Sequence, residues 1–273
     1  AEVEGDGIWR CYNFIEGCRT YDVVENPRQA YEAAKAFGSF QDLVSDIPLE
    51  NIEETIPDFH NTSQHYENLI QAVAKDPLNR VEGVRKELDF VRPNEGILSK
   101  LIDLSSSGVS LQRITHNDSK INNVMIDSAT DKAICVIDLD TEMPGLALYD
   151  FGDMVRTAVS PAAKDEKDLS KVVVRSSIFQ ALVEGYLDGF DCLCDAEIHN
   201  LVFSGKLIAL ETGIRFLTDY LLGDVYFKIA FEGQDLDRAR TQFQLVQQTG
   251  YCEPQLQALA DRLAKARRVR AVG

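Results

Sequence analysis

Apolar positions in the first part of the chain recur at helical spacing. Asn26-Pro27 reads as a cap followed by a proline in a first turn, and Ala30, Ala33, Ala34, Phe37, Phe40 and Val44 then return on one face. Pro48 and Pro57 bracket a loop over 47–61, and a second helix is expected from Thr62-Ser63 with Tyr66, Leu69, Ile70 and Val73 inward. Shorter helices are expected over 78–90 and 94–104. The period then changes. Residues 111–115 read as a strand, and two short apolar runs, 124–127 and 133–137, flank a polar turn, which predicts a hairpin. The remainder reads as helix: one opened by Asp150 as its N-cap, with Met154, Val155 and Ala158; one from Asp165 to about 187, with Leu169, Val172, Val173, Ile178 and Leu182 inward; a long one over 196–222; and two near 235–249 and 253–268. At the start, Glu2-Val3-Glu4, Gly5-Asp6-Gly7 and the run 8–15 read as a hairpin with Asp-Gly in its turn.

The chain has 273 residues, enough for one large domain or two modest ones, and 45% of them are apolar, so a sizeable core is available. A net charge of −16 opposes nucleic-acid binding, which needs a basic surface. Six scattered cysteines show no metal-pair spacing. With no signal peptide and no apolar run of bilayer length, the expectation is a reduced, cytoplasmic protein without a membrane partner. His60, His65 and His199 read as ordinary loop or helix residues. Lys265, Arg267, Arg268 and Arg270 read as a solvated helix end rather than a nucleic-acid arm.

One constellation changes this picture. His116-Asn117-Asp118-Ser119-Lys120-Ile121-Asn122-Asn123 is followed, fifteen residues after Asn123, by Asp138 at the end of the second apolar run. Each alone has a bland reading as a turn or loop residue. Together they answer the demands of moving a phosphoryl group from ATP to a hydroxyl: Asp118 to orient the hydroxyl and take its proton, Lys120 to neutralise phosphate, Asn123 and Asp138 to hold Mg2+. The hairpin brings its two feet together, so the two oxygen ligands converge, and nucleotide phosphates and water complete an octahedron. His116 reads as a buried histidine bracing the loop, its neutral ring donating one hydrogen bond and accepting another. Asp140, two residues on in an extended segment, is a second candidate for the metal. Asp150-Phe151-Gly152 spells a kinase metal motif but comes too late, twenty-seven residues after Asn123.

Three stretches, THNDSKINNVMID (115–127), CVIDLDTEMPGLALYDFGDMVR (135–156) and ETGIRFLTDYLLGDVYFK (211–228), resemble the aminoglycoside phosphotransferase superfamily, a branch of the protein-kinase-like fold. Their wording is most similar to the bacterial N-acetylhexosamine 1-kinases. The resemblance implies an α+β, protein-kinase-like fold: a mostly helical carboxy-terminal lobe with small β-hairpins over 17–273, and only a remnant of the amino-terminal lobe over 1–16. It implies ATP and Mg2+ as cofactors, a small-molecule sugar as acceptor, Arg215 and Tyr226 at the sugar, and Asp150 bracing the loop backbone. Phe14, Ile15 and Glu16 resemble the hinge that holds adenine. No glycine-rich loop and no strand lysine precede them, so this polypeptide alone is expected to be a feeble catalyst. Two alternatives stay open: a superfamily kinase for choline, homoserine or an aminoglycoside, of which the cationic choline and aminoglycosides are opposed by like-charge repulsion from Arg215, and a non-catalytic binding lobe.

Overall fold

A computed structural model describes residues 2–3, 7–8 and 11–272. Asn26 caps the first helix, α1 (Pro27–Leu43), accepting from the Gln29 amide at 3.1 Å. The buried face, Ala30, Ala33, Ala34 and Phe37, lies against α6 (Ser176–Gly189). The two helices touch backbone to backbone: a Cβ on Gly185 would lie 2.1 Å from the Tyr31 carbonyl oxygen, and one on Gly189 2.3 Å from that of Lys35. Only glycine permits this approach. It fixes α1 so that Phe37 reaches the ring of His116, 5.2 Å between centroids. Asn61 caps α2 (Thr62–Lys75), whose Tyr66, Leu69 and Ala72 are buried while Ile70 is exposed. The expected helices over 78–104 are broken at Gly83, Pro93 and Gly96 into a turn (Val81–Val84), α3 (Arg85–Val91), a second turn (Arg92–Ile97) and α4 (Lys100–Ser106).

Three small antiparallel sheets are present among the described residues. β1 (Glu2–Val3) pairs with β2 (Gly7–Ile8); residues 4–6, which hold part of the expected Asp-Gly turn, and 9–10 lie outside the described residues. β3 (Cys18–Arg19), β5 (Val124–Asp127) and β6 (Ala133–Val136) form the second sheet, with Val124 opposite Val136. β4 (Gln112–Thr115) pairs with β7 (Met143–Leu146) in the third. Pro-Gly in β7 reads locally as a turn, so the strand was not foreseen. Gly145 is needed there because a Cβ would lie 2.1 Å from the Thr115 hydroxyl.

The helices after β7 differ from their sequence reading at the ends. α5 (Ala147–Ala158) starts three residues before Asp150, with Leu146 as its cap residue, so Asp150 is a buried first-turn residue and not the N-cap. The segment 165–175 is irregular apart from one turn, Leu169–Lys171; Val172 is buried there but Val173 is exposed, and α6 begins only at Ser176. The β-branched run 172–174 disfavours helix. Asn200 divides the expected helix into α7 (Asp195–His199) and α8 (Leu201–Leu222). α9 (Gln234–Val272) runs unbroken through Pro254, because packing along α8 outweighs the bond that the proline forfeits. Its basic end is not simply solvated: Arg267 pairs with Asp191 and Arg268 with Asp195. The side chain of Arg270 lies outside the described residues. One core extends from Tyr21 to Ala264, centred on the fully buried Phe37, Phe151, Phe179, Tyr186 and Phe190.

Candidate active site

The loop between β4 and β5 is held from below by one carboxylate. Asp150 is completely buried. Its Oδ2 accepts from the His116 amide at 3.0 Å and from Gln41 Nε2 at 2.7 Å, and its Oδ1 accepts from the Asn117 amide at 2.7 Å. The first turn of α5 adds a favourable dipole for the charge. Asn117 takes a left-handed conformation, φ 63°, which asparagine tolerates. Its side chain donates to the carbonyls of Thr115 (3.1 Å) and Thr141 (3.0 Å). The chain therefore turns sharply just before Asp118.

His116 ties this loop to the end of the hairpin. Its ring is fully buried between Phe37 and Phe40. Nδ1 faces the Asp118 amide at 3.3 Å and so accepts; Nε2 then carries the hydrogen and donates to the Ile137 carbonyl at 3.0 Å. The Ile137 amide donates to the Asn123 carbonyl at 2.9 Å. With both backbone groups of Ile137 pinned, Asp138 is held next to Asn123 in a left-handed conformation, φ 66°. Asp138 is exposed, whereas Asn123 is buried. A three-residue helical turn, Leu139–Thr141, follows at once. The segment is thus not extended, and the two-residue period that paired Asp140 with Asp138 does not apply.

Asp118 stands at the mouth of the loop, partly exposed. Its Oδ2 lies 2.7 Å from Lys120 Nζ and 3.1 Å from Asn123 Nδ2, which also donates to the Asp118 carbonyl at 2.8 Å. Spending its amide nitrogen on Asp118 turns the Asn123 amide oxygen the other way. Among the described residues no group of three or more His, Cys, Asp or Glu is gathered to hold a metal. One carboxylate and one amide oxygen suit Mg2+, which commonly takes few protein ligands and draws the rest from phosphate and water.

Arg215 and Tyr226 meet on a second wall. The Arg215 guanidinium lies 5.0 Å from the Phe59 ring, 5.8 Å from Tyr226 and 5.7 Å from Phe227. These residues line a cavity of about 470 Å³ with His65, Asn68 and Thr218. One turn before Arg215, the fully buried Glu211 accepts from Thr62 Oγ1 at 2.6 Å and from His60 Nδ1 at 2.8 Å. His60 Nε2 lies 3.3 Å from the Asn117 carbonyl. Both partners of the ring are acceptors, a carboxylate on one side and a backbone carbonyl on the other. His60 is therefore not an ordinary loop residue: it bridges the wall bearing Arg215 to the residue before Asp118. A clue lay in α8, where Glu211 is a single acid amid Leu207, Ile208, Ala209, Leu210 and Ile214, and a carboxylate buried in such a run needs a partner.

Burial pushes the Glu211 carboxyl up, but the adjacent His60, His65 and Arg215 more than offset it and hold it below the ordinary glutamate range. The unfolded chain therefore binds this proton first. The resulting stability is present above the unfolded value, about 4.3, and is lost as pH falls through the lower folded value. Between pH 7 and pH 3.5 the urea midpoint should fall more for the wild type than for Glu211→Gln; equal falls would show that folding does not lower the Glu211 carboxyl.

Phe14, Ile15 and Glu16 precede β3, with Phe14 88% exposed. Cys18 lies opposite Asp127 and the Gly17 carbonyl accepts from the Ser128 amide at 2.9 Å. This segment therefore sits at the turn of the β5–β6 hairpin, while Asn123 and Asp138 sit at its feet. The Asp118 carboxylate, the Lys120 ammonium, the Asn123 amide and Asp138 thus belong to one loop-and-hairpin unit. Residues 2–189 match the phosphotransferase enzyme family (APH), and the chain belongs to that family. It is accordingly a kinase-type phosphotransferase of small molecules.

Proposed function

We propose that the protein transfers the γ-phosphoryl group of ATP to the anomeric hydroxyl of an N-acetylhexosamine. The observation that carries the transfer chemistry is the partly exposed Asp118 carboxylate, 2.7 Å from Lys120 Nζ and fixed by Asn123. The acceptor oxygen attacks the γ-phosphorus in line. A bond forms between that oxygen and phosphorus as the bond to the β,γ-bridging oxygen breaks, and ADP leaves with the electron pair. Asp118 orients the hydroxyl and receives its proton late, with no covalent enzyme intermediate. Lys120 exchanges part of its contact with Asp118 for the transferred group. Most of the acceleration is positioning and electrostatics. Mg2+, held by Asn123 and Asp138, would neutralise the phosphates. ATP would run along β5 from Phe14, Ile15 and Glu16 to Asn123; the four residue steps from Asp127, opposite Cys18, to Asn123 span roughly 13 Å.

Arg215 supports the sugar assignment, since its five fixed donors suit ring hydroxyls or an acetamido oxygen, and Tyr226 offers an aromatic face. In this reading residues 17–273 form the catalytic lobe. The partners are nucleotide and sugar, without nucleic acid or membrane; among the described residues no helix is long and apolar enough to cross a bilayer. Six thiols not bonded to one another support a reducing compartment, the cytoplasm for an ATP-consuming enzyme.

One observation favours a cationic acceptor instead. Glu54 and Asp58 line a cavity of about 250 Å³ that reaches Asn117 and shares Phe59 with the wall bearing Arg215. Phosphorus NMR of reactions containing the polypeptide, ATP and Mg2+ should distinguish the two. A sugar 1-phosphate signal is expected with N-acetylglucosamine or N-acetylgalactosamine. Phosphorylated choline or aminoglycoside, with no product from either sugar, would reject the hexosamine.

A further inference from the structure

The turn from α8 to α9 carries Tyr226, and one side chain sets its path. Asp219, 4% exposed in the last turns of α8, accepts three successive backbone hydrogens: from Val225 (3.0 Å) and Tyr226 (2.9 Å) on Oδ1, and from Phe227 (2.8 Å) on Oδ2. The chain reaches this grip through two left-handed residues, Gly223 and Asp224, and the Asp224 amide returns to the Asp219 carbonyl at 2.8 Å. The Tyr226 side chain is 65% exposed. Its place opposite Arg215 is therefore held through its backbone more than through its ring.

A second carboxyl meets the first. Asp235, fully buried in the first turn of α9, accepts from Arg238 Nη1 at 2.7 Å on Oδ1. Its Oδ2 is buried without a donor, yet the side chain lies within hydrogen-bonding reach of Asp219. Two carboxylate oxygens cannot bond to each other unless one carries a proton. Burial pushes the Asp235 carboxyl up to about 6, with Arg238 pulling it down and Asp219 pushing it further up. The charged groups facing Asp235 are Arg238 from its own helix and Asp219 from α8. In the intervening turn Asp224 is engaged by Arg80 at 2.8 Å, and Arg238 also donates to the Lys228 carbonyl at 3.3 Å.

We propose that Asp219 is a positioning residue for the acceptor wall, fixing Tyr226 opposite Arg215 through the backbone, and that Asp235 completes the clamp by donating a carboxyl hydrogen to Asp219. The kinetic part rests on the reading of Arg215 and Tyr226 as that wall; the clamp itself does not. The sign follows from the proton. Below about pH 6 Asp235 is a donor and the clamp is closed. As pH rises through that value two anions face each other and the grip on residues 225–227 loosens.

Hydrogen exchange of the Val225, Tyr226 and Phe227 amides, expressed as protection factors so that base catalysis cancels, reads the clamp without any acceptor. Protection in the wild type should fall between pH 5 and pH 7.5. In Asp235→Asn it should stay level, because the amide donates to Asp219 at every pH while its oxygen still accepts from Arg238. Asp219→Asn should lose protection at both pH values and raise KM for N-acetylglucosamine about tenfold, the loss of one charge-assisted hydrogen bond, with the effect on KM rather than kcat. Wild-type protection that does not change with pH overturns the role of Asp235. Protection retained in Asp219→Asn overturns the clamp. Protection lost in that variant with KM unchanged overturns the acceptor wall and leaves the clamp standing.

Discussion

Asp118→Asn is expected to cut turnover by about two to four orders of magnitude, the range that general-base catalysis supplies, while nucleotide affinity stays within a few-fold. An asparagine keeps the shape and can still accept from Asn123 Nδ2, which now bonds Oδ2 at 3.1 Å. What it loses is the ability to take a proton and the charge that draws the hydroxyl into line. The fold should not suffer. The Asp118–Lys120 pair is partly exposed on both sides, and such pairs contribute little to stability. A steady-state assay at saturating acceptor, paired with nucleotide titration calorimetry, separates these effects. Residual turnover above about a tenth of wild type would lie below the low end of the base contribution and would remove Asp118 from the role of base.

The parts legible in the sequence are those written in local signals. Asn26-Pro27 places the start of α1, and the two short apolar runs around the polar turn at 128–132 place the hairpin, because a cap and a run–turn–run pattern need only neighbouring residues. From the hairpin it follows that Asn123 and Asp138 stand at adjacent ends, and the Val124–Val136 pairing has that geometry. The parts that escaped depend on distant partners. β7 exists because β4 is there to pair with it, although Met143-Pro144-Gly145 resembles a turn. α9 continues past Pro254 because α8 lies alongside. The His60–Glu211 pair joins residues 151 positions apart, and Asp219 acts on a turn whose conformation no local propensity encodes. Asp150 is the instructive middle case. Its place near a helix start suggested an N-cap, which it is not; the bracing of the loop, expected only from the family resemblance, is what the structure shows, because its donors come from α1 and from the loop after β4.

Asp150→Ala should therefore be among the most damaging substitutions in the chain, costing about 3–5 kcal/mol. The carboxylate serves three donors, the His116 and Asn117 amides and Gln41 Nε2, all within 3.0 Å. Removing it leaves buried N–H groups without partners, at about 1–3 kcal/mol each, and opens a small void. A partial offset exists, because a buried anion that is gone no longer carries a desolvation cost. It is small here, since three donors and the α5 dipole already solvate the charge. Urea unfolding should show a lower midpoint with an unchanged slope, the signature of lost stability rather than a changed end state. The fraction that remains folded should also turn over slowly, because the two freed amides are those that set the turn into Asp118. Asp150→Asn makes the useful comparison: one oxygen still accepts, the other position presents a donor to a donor, and the loss should fall between wild type and alanine. A loss below about 1 kcal/mol for the alanine variant, within the ordinary spread of single substitutions, would mean that the loop is held by His116 and the hairpin alone.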